Sequence, residues 1–302
     1  MDLKKAISLF QNNQRETTRQ SYKYPLQYLM LYIGEARPVE SIKPEHLVEY
    51  HHESLKPRNL AVATERKHLK TIKTLFNWLV QLDVIVKSPA RILKVKRLPM
   101  YIERDKAMTD EELAALLDYT RYKPRDYALI LFLADTGCRI GGAAGLKISD
   151  VDLVNRRGKV TEKGDKTRPV RFGPMCAAAI AKWLLARPHG AGPYVFSRTA
   201  DPIKADNISQ MIRRTCVKVG IRVLSGHSLR HRKGHQFADQ GTAITLAARY
   251  LGHSDPMVTA MHYYPADWES AEREGDKTLT AFDLQPREIK PIIKLDEHRK
   301  AQ

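Results

Sequence analysis

HSLRHRKGHQFADQGTAITLAARYLGHSDPMVTAMHYY, residues 227–264, is the stretch on which the reading of this 302-residue chain turns. It holds His227 and Arg230 three residues apart, His253 inside a Leu-Gly-His triplet, and the adjacent tyrosines Tyr263 and Tyr264. Histidine exchanges protons near neutral pH. Arginine grips phosphate with a planar fork. A tyrosine hydroxyl can attack phosphorus and form a covalent ester. Together these residue types point to phosphoryl transfer on a polyanion, with tyrosine as the nucleophile. The stretch is also largely helical by its stop signals: Ser228 to Asp239 closed at Gly241, Thr245 to Leu251 closed by Gly252, and a short helix opened by Asp255-Pro256 that carries Tyr263. A three-residue spacing sets His227 and Arg230 on one helix face. His231 and His235 raise the alternative of a zinc site. However, HRKGH lacks the glutamate of the metalloprotease helix and no third ligand is evident, so no metal is expected.

Upstream of this stretch, the sequence predicts two helices, through Ala177–Leu185 and Ile208–Val219, the second ended by Gly220. Before them, GKVTEKGDKTRPVRF (158–172) reads as a β-hairpin with a Gly-Asp turn. Lys163 lies at or near its tip, where a lysine can reach a substrate and donate a proton. YALILFLADTG (127–137) is apolar almost all round, the mark of a buried helix, and Gly137 ends it. Arg139 follows at once, so it is carried on a rigid element. Thr109 and Glu112 form a capping box ahead of Leu113, Leu116 and Leu117.

The N-terminal part is different in kind. Residues 1–86 read as all-helical: Leu69, Ile72, Leu75, Phe76, Leu79 and Val80 follow one helix face, and Leu26, Leu29, Met30 and Ile33 follow another, with Pro25 in its first turn and Gly34 at its end. Residues 1–100 carry 18 Lys and Arg against 9 Asp and Glu, and Arg66, Lys67, Lys70 and Lys73 suit a face that tracks phosphates. Residues 87–106 hold two prolines and seven Lys or Arg and read as a basic, extended linker. The whole chain has a formal net charge of +17, which speaks for a polyanionic partner, DNA before an anionic membrane surface. No run of about 18 apolar residues suggests a spanning helix. The N-terminus has no secretory h-region, and the three widely spaced cysteines fit a reducing cytoplasm. The helical part starting near residue 2 suggests no additional DNA-binding arm ahead of it.

These motifs, in this order, resemble the tyrosine recombinase family, the phage integrases and Xer-type resolvases. The resemblance covers about 107–265 and rests on TGCRI around Arg139, EKGDK around Lys163, HSLRH at 227–231, LGHSD around His253, and the tyrosine that follows. Arg139 precedes Lys163 by 24 residues and Arg230 precedes His253 by 23, intervals similar to those of Xer-type members. The resemblance implies a mainly α fold with a small β-hairpin or sheet and two domains forming a C-shaped clamp on DNA. These would be a helical, SAM-like core-binding domain (1–86), the linker (87–106), a mixed α/β catalytic domain (107–270) and a C-terminal tail (271–302) that contacts a neighbouring protomer. It further implies a nucleoid-associated cytoplasmic enzyme acting on double-stranded DNA as a homotetramer on two sites, with no membrane partner.

The resemblance also implies residue roles. Arg139 and Arg230 clamp the scissile phosphate, and Tyr263 attacks it to leave a 3′-phosphotyrosyl link. Lys163 protonates the departing 5′ oxygen. His227 takes the tyrosine proton or relays it, and His253 bonds the phosphate. No cofactor, metal or ATP is needed, because the phosphotyrosine conserves the bond energy. Two departures stand out. The position three residues after Arg139, often a carboxylate in the family, is Gly142. The place nine residues after His253, commonly the tyrosine, is His262, so Tyr263 is one residue late and Tyr264 is the fallback. A catalytically inactive DNA-binding relative and a type IB topoisomerase or hairpin resolvase are the alternatives. Under any of these, affinity for DNA should fall steeply with salt.

Overall fold

The computed structural model describes residues 1–96, 104–162 and 164–264, and the chain divides into two units, Met1–Pro99 and Met100–Gln302. The first unit is built from α1 (Leu3–Asn12), α2 (Glu16–Ile33), α3 (Pro44–Glu49) and α4 (Val62–Gln81). Asp2 caps α1 by accepting from the Lys5 amide at 2.7 Å. The periodic stripe of α4 is buried at Leu69, Ile72, Leu75, Phe76 and Leu79, while Val80 is only partly covered. α2 differs from expectation. It begins at Glu16, and Pro25 lies in its interior rather than in its first turn. Proline costs a helix one hydrogen bond and crowds the preceding turn. Here that turn is anchored by packing: Tyr22 stacks on Phe10 at 5.7 Å, and Pro25 is itself buried beside Leu26 and Leu29. Burial outweighs the lost bond, a preference that local proline rules do not carry.

The stretch expected as an extended linker folds back at its start. Pro89–Ile92 forms a 3-10 turn, and Ala90 and Leu93 are buried in the core of the first unit. Lys73 donates to the carbonyl of Leu93 at 2.9 Å, so it is tied to the backbone instead of standing free with the exposed Lys67 and Lys70. Residues 97–103, the middle of that stretch, lie outside the described residues.

The second unit contains α5 (Asp110–Thr120), α6 (Pro124–Thr136), α7 (Ile140–Ala144), α8 (Pro174–Ala186), α9 (Ala205–Lys218), α10 (Gly226–Asp239), α11 (Ile244–Leu251) and α12 (Pro256–Tyr263). A three-stranded antiparallel sheet, β1 (Val151–Asp152), β2 (Arg157–Glu162) and β3 (Lys166–Arg171), lies between α7 and α8 in sequence. Among the described residues the architecture is mainly helical with this one small sheet, as expected. Both arms of the Thr109–Glu112 capping box form, at 2.8 and 3.2 Å. α6 is buried on all sides, and Leu129, Ile130, Phe132 and Leu133 are fully covered. Each such side chain contributes ~1.5–3 kcal/mol of transfer free energy, which makes α6 the beam of the unit. Gly137 ends it in the left-handed region, φ 56°, a conformation that costs glycine nothing.

In β2 the alternation of the strand sends Gly158, Val160 and Glu162 to the same inner face, the last of them a carboxylate. The hairpin turns through Gly164 and Asp165, both at positive φ. α10 starts at Gly226, two residues before the expected Ser228. Ser225 and Ser228 form a reciprocal cap there, which draws His227 into the first turn. Gly226 is required by packing: a Cβ on it would stand 2.6 Å from Ile140 Cγ1. The C-terminal tail expected at 271–302 lies outside the described residues. Among the described residues, no helix is long and apolar enough to cross a membrane.

Candidate active site

The ends of α6, α10, α11 and α12 and the inner face of β2 meet around two arginines and a tyrosine. Arg230, in the second turn of α10, is only 4% exposed. Its guanidinium donates to the carbonyls of Gly137 at 2.8 Å and Leu251 at 2.6 Å. These carbonyls belong to the closing turns of α6 and α11, so one side chain ties two helix ends and their glycine stops to α10. Burial, and next the charge of Arg139, lower its pKa to about 10. It remains a cation at neutral pH.

Arg139 lies between α6 and α7, with its side chain about one-third exposed (34%). It is held from the protein side by Glu162. The Arg139 amide donates to Glu162 Oε1 at 2.7 Å, and its guanidinium donates to Oε2. Glu162 also lies 3.5 Å from Arg168 Nη2 and 3.9 Å from Arg230 Nη1. Burial works to raise its pKa, but the Arg139 amide and the charges of Arg168, Arg230 and Arg139 outweigh that and hold it below the usual carboxylate value. Three guanidinium groups thus converge on one carboxylate. They leave a net positive pocket with one half-open fork, an arrangement suited to a phosphate diester.

Tyr263 ends α12 and is 2% exposed. Its hydroxyl lies 3.1 Å from Nδ1 of His231. Its ring lies parallel to that of His253, with centroids 6.4 Å apart, and edge-on to His235 at 5.3 Å. Burial raises the pKa of the phenol, with Arg230 and Arg139 pulling the other way. His231 is pushed down to about 4 by burial and then by His227, His235 and His262. It is therefore neutral at pH 7, and in the tautomer with a bare Nδ1 it accepts from the Tyr263 hydroxyl. His253 is likewise pushed to about 4 by burial, then by Arg230 and Arg139, and its Nδ1 meets Thr259 Oγ1 at 2.7 Å. That leaves Nε2 of His253 as the nitrogen able to face a ligand.

Five of the six residues singled out from the sequence gather in this region: Arg139, His227, Arg230, His253 and Tyr263. Lys163 lies outside the described residues. His227 sits on the arginine side of the cluster, exposed at its edge. Its pKa is lowered by partial desolvation of the ring, then by Arg230 and Arg139. The imidazole that meets the Tyr263 hydroxyl is that of His231, one helical turn further on, where the sequence pointed to His227. Tyr264 faces away and donates to the carbonyl of Thr242 at 2.6 Å. Among the described residues no group of three or more His, Cys, Asp or Glu is arranged to hold a metal ion.

Three contributors escape the sequence reading. His231 closes the HSLRH box, but the roles that the resemblance implies stop at His227 and Arg230; its spacing of four from His227 places both on one face. Glu162 stands out only as a carboxylate at an inward strand position. Gly234 is a glycine in mid-helix: a Cβ there would lie 2.6 Å from carbons of the Tyr263 ring, so its absence makes room for the tyrosine. An isolated glycine inside a helical pattern is the available signal for such a close approach.

The sequence model of the phage integrase family matches residues 106–269, and that of the phage integrase N-terminal SAM-like domain matches residues 4–85. A tyrosine recombinase XerC of Corynebacterium efficiens is 32% identical over 208 residues, covering 66% of this chain and 66% of that protein. XerC 2 of Ralstonia nicotianae is 29% identical over 216 residues, 67% of this chain and 61% of that protein. The match thus spans slightly less than two thirds of the length of these two relatives. XerD of Neisseria meningitidis serogroup A is 28% identical over 221 residues, 68% of this chain and 73% of that protein. The Tn1549 transposon integrase in complex with transposon right end DNA shares the fold, with a TM-score of 0.75 at 19% identity over 92% of this chain and 99% of that one. XerH bound to its difH substrate follows at 0.66 and 21%, over 85% of this chain and 78% of that one.

Proposed function

The chain belongs to the phage integrase family, and we propose that it is a site-specific DNA recombinase that cuts and rejoins strands through a covalent tyrosine–DNA link. The observation that carries this is the seating of Tyr263. Its hydroxyl rests on a neutral imidazole, and its phenol feels the charge of both Arg230 and Arg139. A phenol ordinarily holds its proton to a pH of about 10. It becomes nucleophilic near pH 7 when a base receives that proton and cations stabilise the charge that develops on phosphate.

In this mechanism a phosphodiester binds across Arg139 and Arg230. The Tyr263 oxygen attacks phosphorus as its proton passes to the His231 side of the cluster. The bond from phosphorus to the 5′ oxygen breaks, that oxygen takes a proton from Lys163, and the strand remains attached through a 3′-phosphotyrosyl ester. His253 and His227 hydrogen-bond the phosphate oxygens. Attack by a 5′ hydroxyl from another duplex reverses the sequence of steps and joins new partners. One ester replaces another, so no external energy source enters. The first unit, with exposed Lys67 and Lys70, binds flanking duplex as the core-binding domain over about 1–86, and residues 107–270 carry the chemistry. Four copies assemble on two DNA sites, and the enzyme works at the nucleoid in the cytoplasm.

The test uses the full chain and a duplex selected from a random pool for binding to it, then nicked near the cleavage point so that the cut strand diffuses away. A covalent protein–DNA adduct is expected. It should vanish in Tyr263→Phe and persist in Tyr264→Phe. The opposite pattern would move the nucleophile to Tyr264, and an adduct indifferent to both changes would refute the mechanism. Joining to a second duplex separates recombination from simple relaxation.

A further inference from the structure

We infer that Glu162 is a positioning residue, a buried carboxylate that enters from β2 into the space above Gly142 and fixes Arg139 and Arg230 as a pair before phosphate arrives. The inference rests on the site described above and deepens it. Its first support is geometric. The side chain of Glu162 is 4% exposed and bonds Arg139 twice, through the backbone amide and the guanidinium. It lies within 3.9 Å of Arg230 and 3.5 Å of Arg168. Arg230 and Arg139 are like charges in a poorly solvated place, as the depressed pKa of Arg230 records. A carboxylate between them removes part of that repulsion and sets the angle of the Arg139 fork.

The second support is the hole that Glu162 fills. A Cβ at Gly142 would stand 3.2 Å from Glu162 Cγ, 3.5 Å from Val160 Cβ and 3.6 Å from Glu162 Oε1. A short acidic side chain at position 142 would thus enter the space that Glu162 occupies, and it is the position where the family resemblance leads to a carboxylate. Here α7 presents glycine and β2 presents glutamate. The same negative charge reaches the same arginines from the opposite wall, and each change makes sense of the other. A carboxylate at both positions would overfill the space and set two like charges side by side.

Glu162 does not touch the reacting atoms in this scheme, so its loss should affect the rate of cleavage and leave DNA affinity nearly unchanged. Single-turnover cleavage of the nicked duplex is measured for Glu162→Ala, Glu162→Gln and the double variant Gly142→Asp/Glu162→Ala, with melting temperature and duplex Kd for each. A clamp displaced by about 1 Å costs on the order of 100-fold in rate. The expected result is a loss of that order in Glu162→Ala, a Kd within about threefold of the parent, and recovery of at least about tenfold of the loss in the double variant. A purely structural role would not be restored by moving the charge to another element. The inference is overturned if Glu162→Ala cleaves within about threefold of the parent, or if the folded double variant is no faster than Glu162→Ala. Should Glu162→Ala fail to fold, the isosteric Glu162→Gln carries the first comparison with the same thresholds. An adduct that persists in Tyr263→Phe overturns the whole site reading. An adduct lost in Tyr263→Phe but untouched by Glu162→Ala overturns this inference alone.

Discussion

Acidification should loosen this protein at the site before it affects the rest of the fold. His231 takes up its proton near pH 4 when folded, against a usual value of 6.5. A group with a depressed folded pKa contributes stability that is complete above its unfolded pKa and is lost as pH falls toward the folded one. The window for His231 therefore runs from about 6.5 down to about 4. At pH 5 the unfolded imidazole is already protonated while the folded one resists. That difference of about one and a half units is worth ~2 kcal/mol at ~1.4 kcal/mol per unit. His231 is partly solvated, and screening reduces the figure to about 1 kcal/mol. His253 has the same window and causes of the same kind. Urea unfolding of the full chain, followed by circular dichroism at pH 7.5 and pH 5, reads the sum. In His231→Gln, which keeps a polar side chain but cannot titrate, the pH dependence should flatten by about 1 kcal/mol. If the variant and the parent lose stability in parallel over this interval, His231 is not the desolvated, neutral acceptor described above, and the proton path from Tyr263 must be redrawn.

Two further substitutions test the packing of the same site. Gly234→Ala sets a methyl group 2.6 Å from the Tyr263 ring; it should abolish most adduct formation while duplex binding persists, and near-parental cleavage would show that the tyrosine is not held against α10. Arg230→Lys gives up the fork that serves the carbonyls of Gly137 and Leu251; it should destabilise the chain by ~1–3 kcal/mol in urea unfolding, the cost of one buried carbonyl left unmatched, and slow single-turnover cleavage by about 100-fold or more. A stable, active lysine variant would mean that a point charge suffices where a planar fork is proposed.

The parts of this molecule that the sequence makes legible are those whose cause is local. The stop at Gly137, the capping box at Thr109, the stripe of α4 and the Gly-Asp turn each depend on residues within a few positions of one another. The interior Pro25 and the folding back of residues 89–93 depend instead on what lies across the core: Phe10 behind Tyr22, and the carbonyl of Leu93 above Lys73. The partners stand 12 and 20 positions apart, beyond the reach of any turn or cap rule.

The same division runs through the site, where it bears on chemistry. Arg139, Arg230, His253 and Tyr263 are visible because each sits in a short motif at a helix end, and helix ends are punctuated by glycines that the sequence displays. Their supports are invisible for the opposite reason. Glu162 is 23 residues from Arg139 and 68 from Arg230; nothing in EKGDK itself tells that its first residue points inward. That becomes apparent only when the alternation of β2 is anchored by Val160 in the core and Gly142 is found to leave a space opposite. His231 is visible but has no assigned role until α10 is known to begin at Gly226 and α12 to end with Tyr263 against it. A glycine where a carboxylate is expected reads in the sequence as a missing part. In the folded chain the absence has a location, and a residue of the required charge occupies it. For a site of this kind, then, a departure from a motif is best judged by which side chain, from any element, reaches the volume it vacates.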